Sequence, residues 1–375
     1  MNRHYNWFAI LVVCIVSIPA LVAVSKLLQQ TTARYTSVIT TTETIPMAPA
    51  LVTPTVTPQI EPLRPITSLE QVFNTTTQLP QKSEETVTLL ATGDVLTARH
   101  VTVLMKQNKD FSWPFRNTAG LLQSADISFI NLETPLIADC PTRSDGMVFC
   151  GELQSTEGLS FAGIDVVNIA NNHASNYGPE GVAETVAHLQ NKGFLVAGAA
   201  NANATFTSVN GTKFAFLGFN EVNNQPGVTT AYPETVAREV SQAKEQADVV
   251  VAQFHWGNEY TYTPSENQRR LARIAIDNGA DLIIGNHPHW FQPIEFYNGK
   301  LITYSHGNFV FDQMWSRETR QGIVGRYTFS KNALVGVEFI PILIENYGQP
   351  RILEAAEAQP ILQTLEIESK KLLQQ

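Results

Sequence analysis

Five of the eight histidines in this chain of 375 residues sit at the ends of short apolar runs: His173, His255, His287, His289 and His306. Asp94, Glu133 and Asn172 occupy equivalent places. One histidine after a buried strand is more often structural than functional, held by its neighbours. The recurrence, joined by acids and an amide, is what points to chemistry. Imidazole and carboxylate groups together suit manganese, iron or zinc, as one ion or two. His287-Pro288-His289 is the most specific piece. The fixed proline lets two imidazoles project from one rigid turn. A divalent metal in such a set polarises a phosphoryl or carbonyl oxygen and lowers the pKa of a bound water. An imidazole not bound to metal can protonate a leaving group.

These residues need strands to present them. Residues 164–181 read IDVVNIANNHASNYGPEG. The β-branched run 166–170 stops at Asn171-Asn172-His173, and a helical pattern covers 180–190, giving strand, polar loop and helix. Sites in open α/β sheets form outside the carboxyl ends of strands. The strand at 85–92 delivers Gly93-Asp94, although Gly-Asp is also a common turn. The strand at 126–130 delivers Asn131-Leu132-Glu133, and alternation puts Asn131 and Glu133 on one face. Strand 248–254 delivers His255 through Glu259. Strand 281–284 delivers Gly285 through His289, and strand 301–304 delivers Ser305-His306-Gly307-Asn308. Further strands read at 193–197, 213–219 and 333–344, and helices at 115–124, 233–246 and 264–278. Residues 361–375 are weakly helical and read as peripheral. The pattern predicts an α/β domain, with sheet on sheet and helices outside.

The bulk numbers exclude some functions. The formal net charge is −9, which argues against a nucleic-acid partner, since that needs a basic face. No nucleophile elbow is present; Ser305 in YSHGN is the nearest approach and a poor one. P-loop and dinucleotide fingerprints are absent, which removes nucleotide-kinase and redox-cofactor readings.

Residues 7–24 are almost wholly apolar, broken by Ser17 and Pro19. Eighteen helical residues span roughly 27 Å, close to a bilayer core. A membrane anchor with the N-terminus inside is the first reading; a signal peptide cleaved near Ala23-Val24-Ser25 is the rival. Both export the rest of the chain. Residues 29–82 are rich in Thr, Pro and Gln, with seven of the twenty prolines between Pro46 and Pro80. Such a stretch reads as a disordered tether, with a short helix near 68–74. Cys140 and Cys150 flank Ser144-Asp145-Gly146, a hairpin-turn signal. In an exported domain the two are expected to form a disulfide, with two free thiols as the alternative.

ATGDV, INLETPL, ANNHASNYG, HWGNEY, GNHPHWFQP and YSHGNFVFDQ, in that order over residues 86–312, resemble the CapA family. These are capsule and poly-γ-glutamate synthesis proteins related to calcineurin-type metallophosphoesterases. The resemblance implies a four-layer α/β/β/α sandwich of the metallo-dependent phosphatase type. It implies Asp94, Glu133, Asn172, His255, His287 and His289 as metal ligands and His173 as proton donor. Glu259 and Asn308 match motif positions with an orienting role; Asn131 and His306 join them as supporting or substrate-binding residues. Four departures matter, one being Asn286 where the family often has His. The phosphoesterase D-x-H becomes Asp94-Val95-Leu96, which removes one ligand of the first metal. Asn176 stands where the family often has Asp, withdrawing a carboxylate from His173. His306 stands where Leu is common, as an added ligand or as filler.

The expected layout is an anchor or signal at 1–28, a linker at 29–82, a CapA-like domain at 83–345 and a peripheral tail at 346–375. The expected function is metal-assisted hydrolysis or transfer at a phosphoester or amide, in making, anchoring or releasing an anionic surface polymer such as poly-γ-glutamate. The rival is a non-catalytic, membrane-tethered subunit that binds polymer or scaffolds membrane synthase subunits.

Overall fold

A computed structural model describes residues 63–73 and 83–374. In chain order the strands are β1 (Thr86–Val95), β2 (Ile127–Leu132), β3 (Leu136–Ile137), β4 (Gly151–Glu152), β5 (Val166–Asn168), β6 (Leu195–Ala197), β7 (Thr205–Val209) and β8 (Thr212–Asn220). They continue with β9 (Val249–His255), β10 (Leu282–Asn286), β11 (Ile294–Tyr297), β12 (Lys300–Thr303), β13 (Asn308–Val310), β14 (Gln321–Ser330), β15 (Ala333–Glu345) and β16 (Gln349–Ile352). One sheet runs β16-β15-β14-β1-β2-β5-β6, with β13 paired to the end of β1. The other runs β11-β12-β10-β9-β8-β7. The central strands of each, β1-β2-β5-β6 and β8-β9-β10-β12, are parallel, so their carboxyl ends share a side within each sheet.

Alternation along the strands builds three cores. Leu89, Ala91, Ile127 and Phe129 of the first sheet meet Phe214, Phe216, Val249, Val251 and Leu282 of the second. The opposite faces carry Leu90, Ile130 and Val167, which pack on Val101, Leu122, Leu159 and Leu189 of the outer helices. Ala215, Leu217, Val250 and Ile283 pack on Val236, Val240, Leu271 and Ala275. Strands covered on both faces are apolar at nearly every position, which is why they read as continuous runs. The mixed α/β fold expected from the sequence is present, with sheet stacked on sheet and helices outside. The helix Glu266–Asp277 starts at a capping box between Ser265 and Gln268.

Several expectations need correction. The 140–150 segment is no hairpin. It is irregular, and the short strands flanking it, β3 and β4, pair in parallel. The disulfide itself is present, Cys140 to Cys150. The helix expected at 115–124 is a 3-10 turn (Trp113–Phe115) followed by one helical turn (Ala119–Leu122), where Thr118 breaks the run. The C-terminal residues are not a peripheral tail. Ala355–Leu372 is a helix whose Ile361 and Leu365 enter the core between the sheets, and Ser369 Oγ accepts a hydrogen bond from the Ile294 N–H at 2.9 Å. The end of the expected linker also belongs to the fold, since Leu69 of the helix Leu69–Phe73 lies in that same core. The apolar run 7–24 lies outside the described residues; among the described residues no helix is long and apolar enough to cross a membrane.

Candidate metal centre

Asp94 lies near the end of β1 between two parallel neighbours, in register with Asn131 of β2 and Asn308 of β13. The approach of β13 depends on Gly93: a Cβ there would stand 2.2 Å from the Gly307 carbonyl oxygen. The fully buried Asp94 is held at both oxygens. Oδ1 accepts from Asn131 Nδ2 at 2.8 Å, and Oδ2 accepts from the His287 N–H at 3.2 Å. Asn131 is fixed in turn, because its Oδ1 accepts from Asn168 Nδ2 at 3.0 Å and Asn171 Nδ2 at 3.3 Å. That network leaves only one orientation for the Asn131 amide.

The second sheet brings imidazoles to the same point. His255 ends β9, with Nε2 2.9 Å from Asn172 Oδ1 and 3.8 Å from Glu133 Oε1. Its Nδ1 is 3.3 Å from Asn131 Nδ2 and 3.9 Å from Asp94 Oδ1. His287 and His289 come directly after β10, with the His255 and His287 rings 4.8 Å apart. His289 Nδ1 lies 2.8 Å from Asn308 Oδ1 and 3.5 Å from Asp94 Oδ2. Asn308 is anchored by donating from Nδ2 to the Thr319 carbonyl at 2.8 Å and to Gln313 Oε1 at 3.0 Å. His287 and His289 both hold positive φ, 96° and 58°. Non-glycine residues adopt such angles at a cost, and at functional sites the surrounding structure enforces them.

Donor atoms of Asp94, Glu133 and His289 all lie within 4.8 Å of one another, and so do those of Glu259, His287 and His289. Glu133 is the sharpest test of whether a cation fits. It is fully buried, and neither carboxylate oxygen has a hydrogen-bond partner among the described residues. Burial, and then repulsion from Asp94 and Glu259, push its carboxyl well above the ordinary range; Arg99 pulls the other way. His287 Nδ1 is likewise buried without a hydrogen-bond partner among the described residues. Burial and the neighbouring imidazoles drive His287 down to about 3 and His255 well below its ordinary value. Neutral imidazoles beside unpaired carboxylate oxygens are the donor set that a divalent cation requires.

His173 stands at the same opening. Its Nε2 is 3.9 Å from Glu133 Oε1, and its Nδ1 is 3.0 Å from Asn176 Oδ1. Burial lowers it to about 4, so the ring is neutral near pH 7 in this arrangement. In that neutral form one ring nitrogen carries a hydrogen and the other a lone pair.

Asp94, Glu133, Asn172, His173, His255, His287 and His289 are thus brought together, and Asn131 and Asn308 each hold one of them. Glu259, read from the sequence as an orienting residue, is exposed and offers an oxygen to His287 and His289. His306 does not join the cluster; its Nε2 is engaged by the Tyr327 hydroxyl at 2.9 Å inside the first sheet. The sequence did not single out Asn168, Arg99, Phe149 or Tyr260. Arg99 is paired with Asp312 and lies over the Phe149 ring, 4.7 Å from its centroid. The ring of Phe149 stacks on His173 with centroids 3.8 Å apart, and that of Tyr260 stacks on His289 at 6.0 Å. Asn168 carried a readable signal, as an amide ending an otherwise apolar strand.

Two stacked sheets delivering acids, amides and imidazoles to one opening define an α/β domain with a candidate metal centre. The matching family model is described as Bacterial capsule synthesis protein PGA_cap and covers residues 88–313; the chain belongs to that family. It is similar to the PGA biosynthesis protein CapA of Bacillus subtilis, 35% identical over 276 residues, covering 69% of this chain and 72% of that protein. It is also similar to the capsule biosynthesis protein CapA of Bacillus anthracis, 30% identical over 296 residues, covering 73% and 71%. Among solved structures, a novel phosphatase from Mycoplasma pneumoniae matches with a TM-score of 0.49 and 15% identity, over 70% of this chain and 95% of that one. A likeness of that degree adds nothing to the reading of the site, which rests on its own geometry.

Proposed function

We propose that this protein acts outside the cytoplasm in the synthesis, anchoring or release of a capsule polymer such as poly-γ-glutamate, through a divalent-metal site that hydrolyses or transfers a phosphoester or amide. The names of its relatives support the polymer role. The observation that carries the chemistry is Glu133, buried with both oxygens unpaired among neutral imidazoles. Asp94, Glu133, Asn172, His255, His287 and His289 would hold manganese, iron or zinc, with Glu259 at the exposed edge. An ion held there would supply Lewis-acid polarisation of a phosphoryl or carbonyl oxygen. The chain's own residues orient and carry protons. Asn131 fixes Asp94 and Asn308 fixes His289. His173 takes at Nε2 the proton that an attacking water loses and returns it to the leaving oxygen or nitrogen. The finer description, a four-layer metallo-dependent phosphatase sandwich on an N-terminal membrane tether, belongs to this reading as well.

A second reading is a tethered, non-catalytic subunit that binds polymer or assembles with membrane synthase subunits. Val95-Leu96 after Asp94, in place of D-x-H, favours it. Elemental analysis of the purified full chain, with turnover of a generic aryl phosphodiester, separates the two. Stoichiometric metal, and turnover lost on the order of a hundredfold or more in His289→Ala, is the expected outcome. A metal-free, inert protein that still binds polyanion would favour the scaffold. Carbonate washing of membranes, with N-terminal sequencing of the mature chain, distinguishes a retained anchor from a cleaved signal.

A further inference from the structure

Residues 141–148 are exposed and form no regular structure, yet the next residue, Phe149, is 2% exposed and reaches into the candidate site. One face of its ring meets His173, with centroids 3.8 Å apart. The Arg99 guanidinium carbon also lies over this ring, at 4.7 Å. Arg99 donates to the Gly146 carbonyl at 3.4 Å and pairs with Asp312. The Phe149 N–H donates to Asn176 Oδ1 at 2.6 Å. A backbone N–H can only donate, so this bond fixes which end of the Asn176 amide is oxygen. That same oxygen lies 3.0 Å from His173 Nδ1. Nδ1 must therefore carry the hydrogen, which leaves the Nε2 lone pair free on the side of Glu133 Oε1.

We propose that the loop closed by Cys140–Cys150 is a positioning element of the site, and that Phe149 and Asn176 hold His173 in the Nδ1–H form with Nε2 directed at the acid cluster. The inference rests on the reading of His173 as the proton carrier. An exposed, irregular segment has little of its own to keep an aromatic ring in one place. The disulfide closes it across a separation of ten residues. That closure removes conformations in which the loop swings out and takes Phe149 with it. Phe149 and Asn176 are positioning residues here, because they act through His173.

The test uses full-length protein labelled with 15N at histidine, which reads the ring tautomer directly, alongside phosphodiester turnover. His173 is assigned by difference with His173→Gln. The wild type is expected to show Nδ1–H at His173. Phe149→Leu, and separately Cys140→Ser with Cys150→Ser, are expected to give a mixed tautomer signal. Their kcat falls on the order of tenfold or more while KM stays nearly constant, as loss of alignment requires. Phe149→Tyr should restore both readouts, and Met147→Ala, at the loop's exposed tip, should alter neither. Wild-type metal content in each variant certifies that the cluster is folded. The proposal is overturned if wild-type His173 carries its hydrogen on Nε2, or if the loop variants keep the wild-type ring signal. Absence of turnover in the wild type would sink the catalytic reading instead, while the tautomer still decides the role of the loop.

Discussion

A carboxylate with no exposed surface and no donor on either oxygen is expensive to keep charged. Glu133 is in that position, and its raised pKa has a consequence for stability. With metal removed, the folded state favours protonated Glu133 while the unfolded chain ionises near 4.5. The fold therefore loses stability as pH rises from that value through the folded pKa. A bound cation reverses this by favouring the charged form. Glu133→Gln should melt higher than the wild type in chelator near pH 7, and gain much less from added manganese. Thermal melts with and without metal check it, and a wild type indifferent to metal would contradict it. At this scale much was readable from the sequence. Asp94, Glu133 and the imidazoles mark strand ends, and strand ends show in the hydrophobic pattern. His306 marks one equally well but turns to Tyr327. Which way a side chain faces after a strand depends on the partner sheet, which no local pattern contains.

At the scale of elements, the loop between β10 and β11 holds two non-glycine residues at positive φ. The surrounding structure must hold the backbone in that form against its strain. His287→Gly and His287→Ala should both lose metal, since both remove the imidazole. The glycine variant should be the more stable by about 1 kcal/mol, because only it adopts φ 96° without strain. Denaturant unfolding in chelator measures the difference, and equal stability would show the strain to be absent. The parallel strands were legible because burial on both faces makes them apolar throughout. β7 was not: its burial is partial along TFTSV, as befits an edge strand with one partner. The hairpin expected at 144–146 failed for a related reason. Ser-Asp-Gly permits a turn, but no alternating strands flank it, and the disulfide rather than a ladder closes the segment.

For the molecule as a whole, the C-terminal helix Ala355–Leu372 gives the clearest expectation. Ile361 and Leu365 fill the core between the sheets and Leu372 joins the core of the second sheet's helical layer. At about 1.5–3 kcal/mol for each buried aliphatic side chain, their loss rivals the net stability of a typical domain. A chain truncated after residue 353 should therefore be unfolded or insoluble, as circular dichroism would show; a cooperative, wild-type-like melt would refute this. The sequence hid the contribution because an exposed face and Pro360 dilute the helical pattern.

The folded unit is also polar in a geometric sense. Ile66 donates its N–H to the Leu334 carbonyl at 2.8 Å, and Thr67 lies near Gly299. Both contacts sit by the beginnings of β1 and β12; the far end of β1 carries Asp94, and β12 runs parallel to β10, whose far end leads to His287 and His289. Eight residues of strand separate Thr86 from Asp94, a reach of roughly 27 Å. The first described residues therefore pack at the heel of the strands, and this segment leaves the end that carries Asp94 uncovered.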